Sequence, residues 1–124
     1  AHRLGRIIDA EHPDVVNTHN IQGFSSAVWG AVARRKIPLV QTLHDYYTGC
    51  VNSAMFRDGR NCDTVCTRCR ILGAPRRHYS RKPQVVTTVS LRLFSRLHAA
   101  GIYSGLSDVR VIHNGNPEPP PLRR

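Results

Sequence analysis

Two histidines of this chain stand where short apolar runs end. His19 and Asn20 close Asp14-Val-Val-Asn-Thr, and His44, Asp45 and Tyr46 close Ile37-Pro-Leu-Val-Gln-Thr-Leu. A third run, Val109-Arg-Val-Ile, closes on His113, Asn114 and Gly115. An imidazole can orient a ligand hydroxyl, donate to a developing charge or shuttle a proton near neutral pH. His44 is the candidate for the reactive role, because it lies just beyond an apolar run with Asp45 beside it. His19 and Asn20 are candidates for binding, against a reading in which Asn20 caps a helix starting near residue 22. Asn114-Gly115 is explained by a turn that needs positive φ, and His113 reads as a satisfied loop histidine. The rings of Tyr46, Tyr47 and Phe56 suit stacking on a ligand or, equally, a small satellite core.

The second constellation is Cys50, Cys62, Cys66 and Cys69, spaced C-x11-C-x3-C-x2-C. Four thiolates suit tetrahedral zinc. Iron–sulfur ligation uses the same four ligands, although the spacing is not that of common ferredoxins. Disulfides need an oxidising compartment, for which the sequence carries no signal, and unliganded thiols are the remaining reading. A structural zinc is the leading expectation, because the segment is polar, contains glycine and lacks a core of its own.

These residues need elements to hold them. Residues 3–11 set Leu4, Ile7, Ile8 and Ala10 at helical spacing, and Asp14 to Thr18 reads as a strand after Pro13. Residues 22–35 form a helix with Phe24, Ala27, Val28, Ala31 and Val32 as its stripe and Arg34-Arg35-Lys36 in the last turn, where cations suit the macrodipole. Pro38 ends it, and Leu39 to Leu43 is the next strand. Residues 44–70 have no clean period, and 71–81 read as a short helix broken by Pro75. Gln84 to Val89 is a strand. Ser90 caps a helix over 91–100 that Gly101 stops. Val109 to Ile112 is the last strand, and the proline-rich 117–124 reads as a linker. Such alternation predicts an α/β fold with a parallel sheet and right-handed crossovers. Ligands of open α/β sheets bind beyond the carboxyl ends of the strands, where the histidines would then lie.

At 124 residues the chain is one domain at most, large enough for a real core. No apolar run approaches a membrane span, and Ala1-His-Arg-Leu-Gly-Arg6 does not open a secretory signal. With no initiator methionine, a fragment or processed chain is expected. The formal charge of +10 rests on arginine, Lys36 and Lys82 being the only lysines. It would draw the chain to phosphorylated ligands, nucleic acid or anionic lipid, unless the arginines are simply scattered and solvated. The densest stretch, Arg57 to Arg81, is interrupted by Asp58, Asp63 and a proline, unlike a basic tail. Arg57, Arg60, Arg68 and Arg70 are the candidates for steering a phosphorylated ligand, against a solvated face.

Four segments together carry a family likeness. Pro13-Asp14-Val-Val-Asn-Thr-His19-Asn20, Thr42-Leu-His44-Asp45-Tyr46, Val86-Thr-Thr-Val89-Ser90 and Val111-Ile112-His-Asn114-Gly115, in that order, resemble the second half of the N-terminal domain of a family-four, GT-B glycosyltransferase over roughly residues 1–116. The resemblance implies a Rossmann-like parallel sheet with flanking helices, a Cys-containing insertion at 50–70 and a linker at 117–124. It implies transfer of a sugar from a nucleotide-sugar donor, with retention, to a glycan or lipid-linked acceptor. His44 would then sit near the donor sugar and the reacting centre as the catalytic residue. His19 and Asn20 would line the acceptor side, Asp45 and Tyr46 would bind substrate, Ser90 would end its strand near the cleft, and Asn114 and Gly115 would lead into the interdomain hinge. Members with cysteines after the His-Asp-Tyr segment usually build bacterial surface polysaccharides. The family's Gly-rich first loop and its C-terminal donor domain have no counterpart in this sequence. Asn116-Pro117 also stands where the family often has an aliphatic residue and then Asp. The segment is therefore expected to be inactive alone, and the full enzyme to be cytoplasmic or peripheral at the inner membrane face. The alternatives are a basic zinc-binding nucleic-acid module over 50–81 and a protein-interaction module. The first explains charge and cysteines but leaves the strand ends idle, so nucleic acid is not the expected partner.

Overall fold

The computed structural model describes residues 2–115 of the 124, and the expected linker over 117–124 lies outside them. Its elements are α1 (His2–Glu11), β1 (Val16–Thr18), α2 (Ala27–Arg34), β2 (Leu39–Leu43), β3 (Phe56–Arg57), β4 (Arg60–Asn61), α3 (Thr67–Leu72), α4 (Ala74–Tyr79), β5 (Val85–Thr88), α5 (Leu91–Ala99) and β6 (Asp108–Val111). Strands β1, β2, β5 and β6 form one parallel sheet in that order. The register sets Thr18 opposite Gln41 and Thr42 opposite Thr87. Every crossover steps the same way across the sheet, so right-handed connections put their helices over one face. That face carries Leu39, Gln41, Leu43, Val86 and Thr88, all buried. The other carries Asn17, Val40, Thr42, Val85 and Thr87, which are exposed or half-buried.

The core forms where the helices meet the buried face. Helix α2 supplies Val28, Trp29 and Val32, and α5 supplies Leu93 and Leu97, one turn apart. Ser90 caps α5 by accepting from Leu93 N at 3.2 Å, as its position before an apolar run predicts. Gly101, at φ +75°, ends it.

Two predicted helices differ in the structure, each for a local reason. The one placed at 22–35 starts only at Ala27, because Gly23 adopts φ +78°, which no right-handed helix allows. Phe24 therefore leaves the stripe and is 64% exposed, while Trp29, on no one's stripe, is fully buried. The helix placed at 71–81 is two helices split at Gly73. Pro75 sits in the first turn of α4, where its missing N–H has no partner to lose, so it starts a helix rather than breaking one.

The insertion has more order than its composition predicts. Asp58 and Gly59 both take positive φ and close the β3–β4 hairpin, the Asp-Gly signature of a two-residue turn. Behind it Cys50, Met55, Val65 and Cys69 form a second small core. Tyr46 and Ala100 pack against both cores and join them. Gly49 lets the insertion approach α5 closely. A Cβ there would fall 2.7 Å from Leu97 Cδ2 and 2.9 Å from Ile102 Cδ1, so those side-chain ends would have to shift.

Candidate functional site

All four strands run the same way, so their carboxyl ends share one edge of the sheet. His19 follows β1, His44 follows β2, Ser90 follows β5, and His113-Asn114-Gly115 follow β6. The two histidines picked from sequence touch there. His19 Nδ1 lies 3.0 Å from His44 Nε2, with the rings stacked at 5.3 Å between centroids. Asn20 Nδ2 donates to Asp45 Oδ2 at 3.2 Å, joining the same two loops a second time. Asn20 also turns its own loop, its Oδ1 accepting from Gln22 N at 2.8 Å, so it closes a turn rather than capping α2. Asp45 Oδ1 accepts from Tyr47 N at 2.7 Å and shapes the loop after β2.

His19 is held from both faces of the sheet. On the open face, Thr87 Oγ1 donates to Thr42 Oγ1 at 2.7 Å, and Thr42 donates to Asn17 Oδ1 at 3.2 Å. Asn17 then presents Nδ2 to His19 Nε2 at 3.3 Å. An amide nitrogen only donates, so His19 Nε2 accepts and the ring hydrogen sits on Nδ1. That hydrogen goes to His44 Nε2, which leaves the hydrogen of His44 on its own Nδ1. Among the described residues that Nδ1–H has no acceptor. In this arrangement His44 offers a ligand a hydrogen-bond donor, not a lone pair.

On the buried face, Trp29 Nε1 donates to Thr18 Oγ1 at 3.0 Å, and Thr18 donates to Gln41 Oε1 at 2.5 Å. Gln41 Nε2 donates to the His19 carbonyl at 2.8 Å. A buried hydrogen-bond chain thus ties the centre of α2 to the backbone of His19. The loop after β2 is tied down as well: buried Thr48 shares a 3.0 Å hydrogen bond with the hydroxyl of buried Tyr103. Burial holds the Tyr103 hydroxyl far above the usual tyrosine range.

The other sequence candidates lie around this group. Ser90 ends its strand at the same edge, but its hydroxyl is engaged as the α5 cap. Tyr46 packs between the two cores, with the guanidinium of Arg96 at 5.7 Å from its ring centroid. Tyr47 faces the edge concavity, and Arg76 covers its ring at 4.5 Å. His113 Nδ1 donates to Val89 O at 3.0 Å, as a satisfied loop histidine does. Asn114 and Gly115 are exposed, two strands away from His44. The concavity between the His19 and His44 loops measures about 10 Å³, room for one water.

Asn17, Thr42 and Thr87 were missed in the sequence. Asn17 and Thr42 sit two residues before the histidines, on the strand face opposite the core. Alternation along a strand is the signal that could have found them.

The cysteines gather in the insertion core: Cys50 and Cys69 are buried, and Cys62 and Cys66 pack against them. All four are free thiols. The Cys69 backbone and thiol hold the Cys66 thiol below its usual range, and burial pushes Cys69 above it. Among the described residues, no group of three or more His, Cys, Asp or Glu is arranged to hold a metal ion as it stands. Nor is any helix among them long and apolar enough to cross a membrane.

Comparison with known proteins places this edge in context. A family model described as Glycosyltransferase Family 4 matches residues 1–116. An "Uncharacterized 42.6 kDa protein in cps region" from Klebsiella pneumoniae is 34% identical over 59 residues, covering 48% of this chain and 16% of its own length. Among solved structures, a UDP-N-acetylglucosamine 2-epimerase from Rickettsia bellii superposes with a TM-score of 0.51 at 19% identity, over 87% of this chain and 24% of that one. At that identity the likeness is one of fold. The chain spans a small part of both relatives.

Proposed function

The chain belongs to glycosyltransferase family 4, and we propose that it forms the acceptor-side wall of the cleft in a retaining transferase that moves a sugar from a nucleotide-sugar donor to a glycan or lipid-linked acceptor. The observation that carries this reading is the His19–His44 contact at the carboxyl edge of the parallel sheet. There His44 Nδ1–H is left to donate to a sugar oxygen near the reacting centre, while His19, Asn20 and Asp45 meet acceptor hydroxyls. Ser90 closes the edge beside them, and Asn114 and Gly115 lead the chain out toward a hinge. The donor half lies outside this chain. Catalysis of this kind depends on positioning and electrostatic stabilisation across a closed cleft, so the segment alone is not expected to turn over. The relative from a cps region supports surface polysaccharide as the product. Supply of nucleotide sugars places the reaction in the cytoplasm, with the acceptor at the inner membrane face. The test is to incubate the intact natural polypeptide with a panel of nucleotide sugars and lipid-linked glycans, and to read the new anomeric linkage by NMR. Retained configuration is expected; inversion, or no transfer from any donor, overturns the reading.

For the insertion we propose a structural zinc held by Cys50, Cys62, Cys66 and Cys69. The support is that Cys50 and Cys69 lie in one small core, Cys62 and Cys66 pack against it, and none of the four is in a disulfide. Four thiolates would complete a tetrahedral shell and leave no open position, so the ion would order residues 50–70 rather than react. Binding would require Cys62 and Cys66 to turn inward from the groove they line. Cys66→Ser, or chelation of the wild type, is expected to speed proteolysis within residues 50–70 while far-UV CD keeps the sheet signal. Protein purified without zinc, whose digestion ignores chelator, would end this reading.

A further inference from the structure

Away from the histidine edge, α5 turns a second surface toward the insertion. Its buried side carries Leu93 and Leu97; its other side carries Arg92, Ser95, Arg96 and Ala99, at the i, i+3, i+4, i+7 spacing of one helical face. Opposite stand Arg70 of α3 and Arg77 of α4. Together they bound a groove of about 630 Å³, in the range of small-molecule sites. Small residues along its α5 side leave the space open, and the arginines of three helices form its walls. Asp63 is the one carboxylate lining it.

The charge there is not cancelled internally. The ion pairs among the described residues are Arg35–Asp9, Arg57–Asp58 and Arg110–Asp108, none of them in the groove. Arg96 is held in place by donating to the carbonyls of Cys62 and Asp63, and so keeps its charge. Arg77 keeps its Nε buried with no hydrogen-bond partner. A buried guanidinium nitrogen without an acceptor is costly, and the Arg77 side chain lines the groove, where an anion can offset its charge. Of the arginines singled out in the sequence, only Arg70 belongs to this set. Arg57 and Arg60 line a different groove with Cys62 and Cys66.

We propose that this groove binds a diphosphate group. Four guanidinium forks against one carboxylate call for several negative charges packed closely, and guanidinium planes match phosphate oxygens in paired hydrogen bonds. A lone carboxylate would leave most of that charge unmet. The proposal is independent of the role assigned to the histidine edge, and either can fail without the other.

Inorganic pyrophosphate, titrated into the intact natural polypeptide at low salt, is the probe. Calorimetry reads affinity, and hydrogen exchange locates the site. Protection is expected in α4 and α5. R70Q/R77Q should remove that protection and weaken the associated binding about tenfold or more. R3Q/R6Q, which removes equal charge from exposed positions of α1, should change it less than twofold. Equal loss in both variants, or no protection at α4 and α5, would overturn the proposal. Competition then names the source: displacement by a short-chain prenyl diphosphate points to a lipid-linked ligand, displacement by a nucleoside diphosphate to a nucleotide, and both support the groove.

Discussion

His44→Ala in the intact polypeptide is expected to lower kcat/KM for sugar transfer by about 10²–10⁴-fold, the range for removing a positioned donor or proton-transfer group. The side chain is exposed, so the variant should fold as well as the wild type. The hydrogen-bond chain from Thr87 through Thr42 and Asn17 to His19 makes a sharper claim. It sets the tautomer in which His44 holds its hydrogen on Nδ1. Asparagine places an amide near the position of Nδ1, and glutamine near that of Nε2. His44→Asn should therefore keep clearly more activity than His44→Gln. Asn17→Ala, which frees His19 to change tautomer, should cost about tenfold in kcat with KM little changed, about the net worth of one hydrogen bond. Nitrogen-15 NMR of the two imidazoles checks the tautomers directly. If His44→Gln outperforms His44→Asn, or Asn17→Ala leaves the imidazole signals unmoved, the assigned arrangement is wrong.

Trp29→Ala should be the most damaging core substitution, at about 3–5 kcal/mol, the usual cost of truncating a buried aromatic. Trp29 is fully buried, packs at 6.3 Å against Tyr103, and donates its indole N–H to Thr18. Losing it opens a cavity and leaves the hydroxyl of Thr18 short of a partner. Against a total stability of about 5–15 kcal/mol, such a loss leaves a barely folded protein. Trp29→Phe keeps much of the volume and should cost about half as much or less. Trp29 is also the single tryptophan, so urea unfolding must be followed by circular dichroism rather than fluorescence. A midpoint for Trp29→Ala within error of the wild type would show that α2 does not anchor the core. A partial effect on the His19 environment in Trp29→Phe would confirm that the buried chain through Thr18 and Gln41 reaches the edge.

The sequence carried the parallel sheet because its strands are short apolar runs with turn signals between them, and the helices α2 and α5 have apolar stripes. It placed His19 and His44 together because parallel strands deliver their ends to one edge. What it hid depended on single backbone angles and on faces. Gly23 at positive φ delayed α2 by a turn and changed which aromatic enters the core. Asp58-Gly59 announced a hairpin inside a segment that otherwise lacks periodicity. Asn17, Thr42 and Thr87 read as ordinary strand residues until the register set Thr42 beside Thr87 and a side-chain hydrogen bond joined Thr42 to Asn17. The arginine groove was out of reach, because Arg70, Arg77 and Arg92 become neighbours only when three helices pack.

The position of the insertion bears on how the chain assembles. Val40 pairs with Val85, whereas Val16 pairs with Leu39 and Val85 with Asp108, so the central pairing closes a loop about twice as long as its neighbours. Loop-closure entropy grows only logarithmically, and a doubling adds about 0.6 kcal/mol. The equilibrium penalty for carrying the cysteine segment is thus small beside the contacts it makes with α5. The effect on rate is larger, since long-range pairings slow folding more than they weaken the product. The joining of β2 to β5 should be the late event of folding, and segments of quite different length can be exchanged at that point while the sheet stays the same.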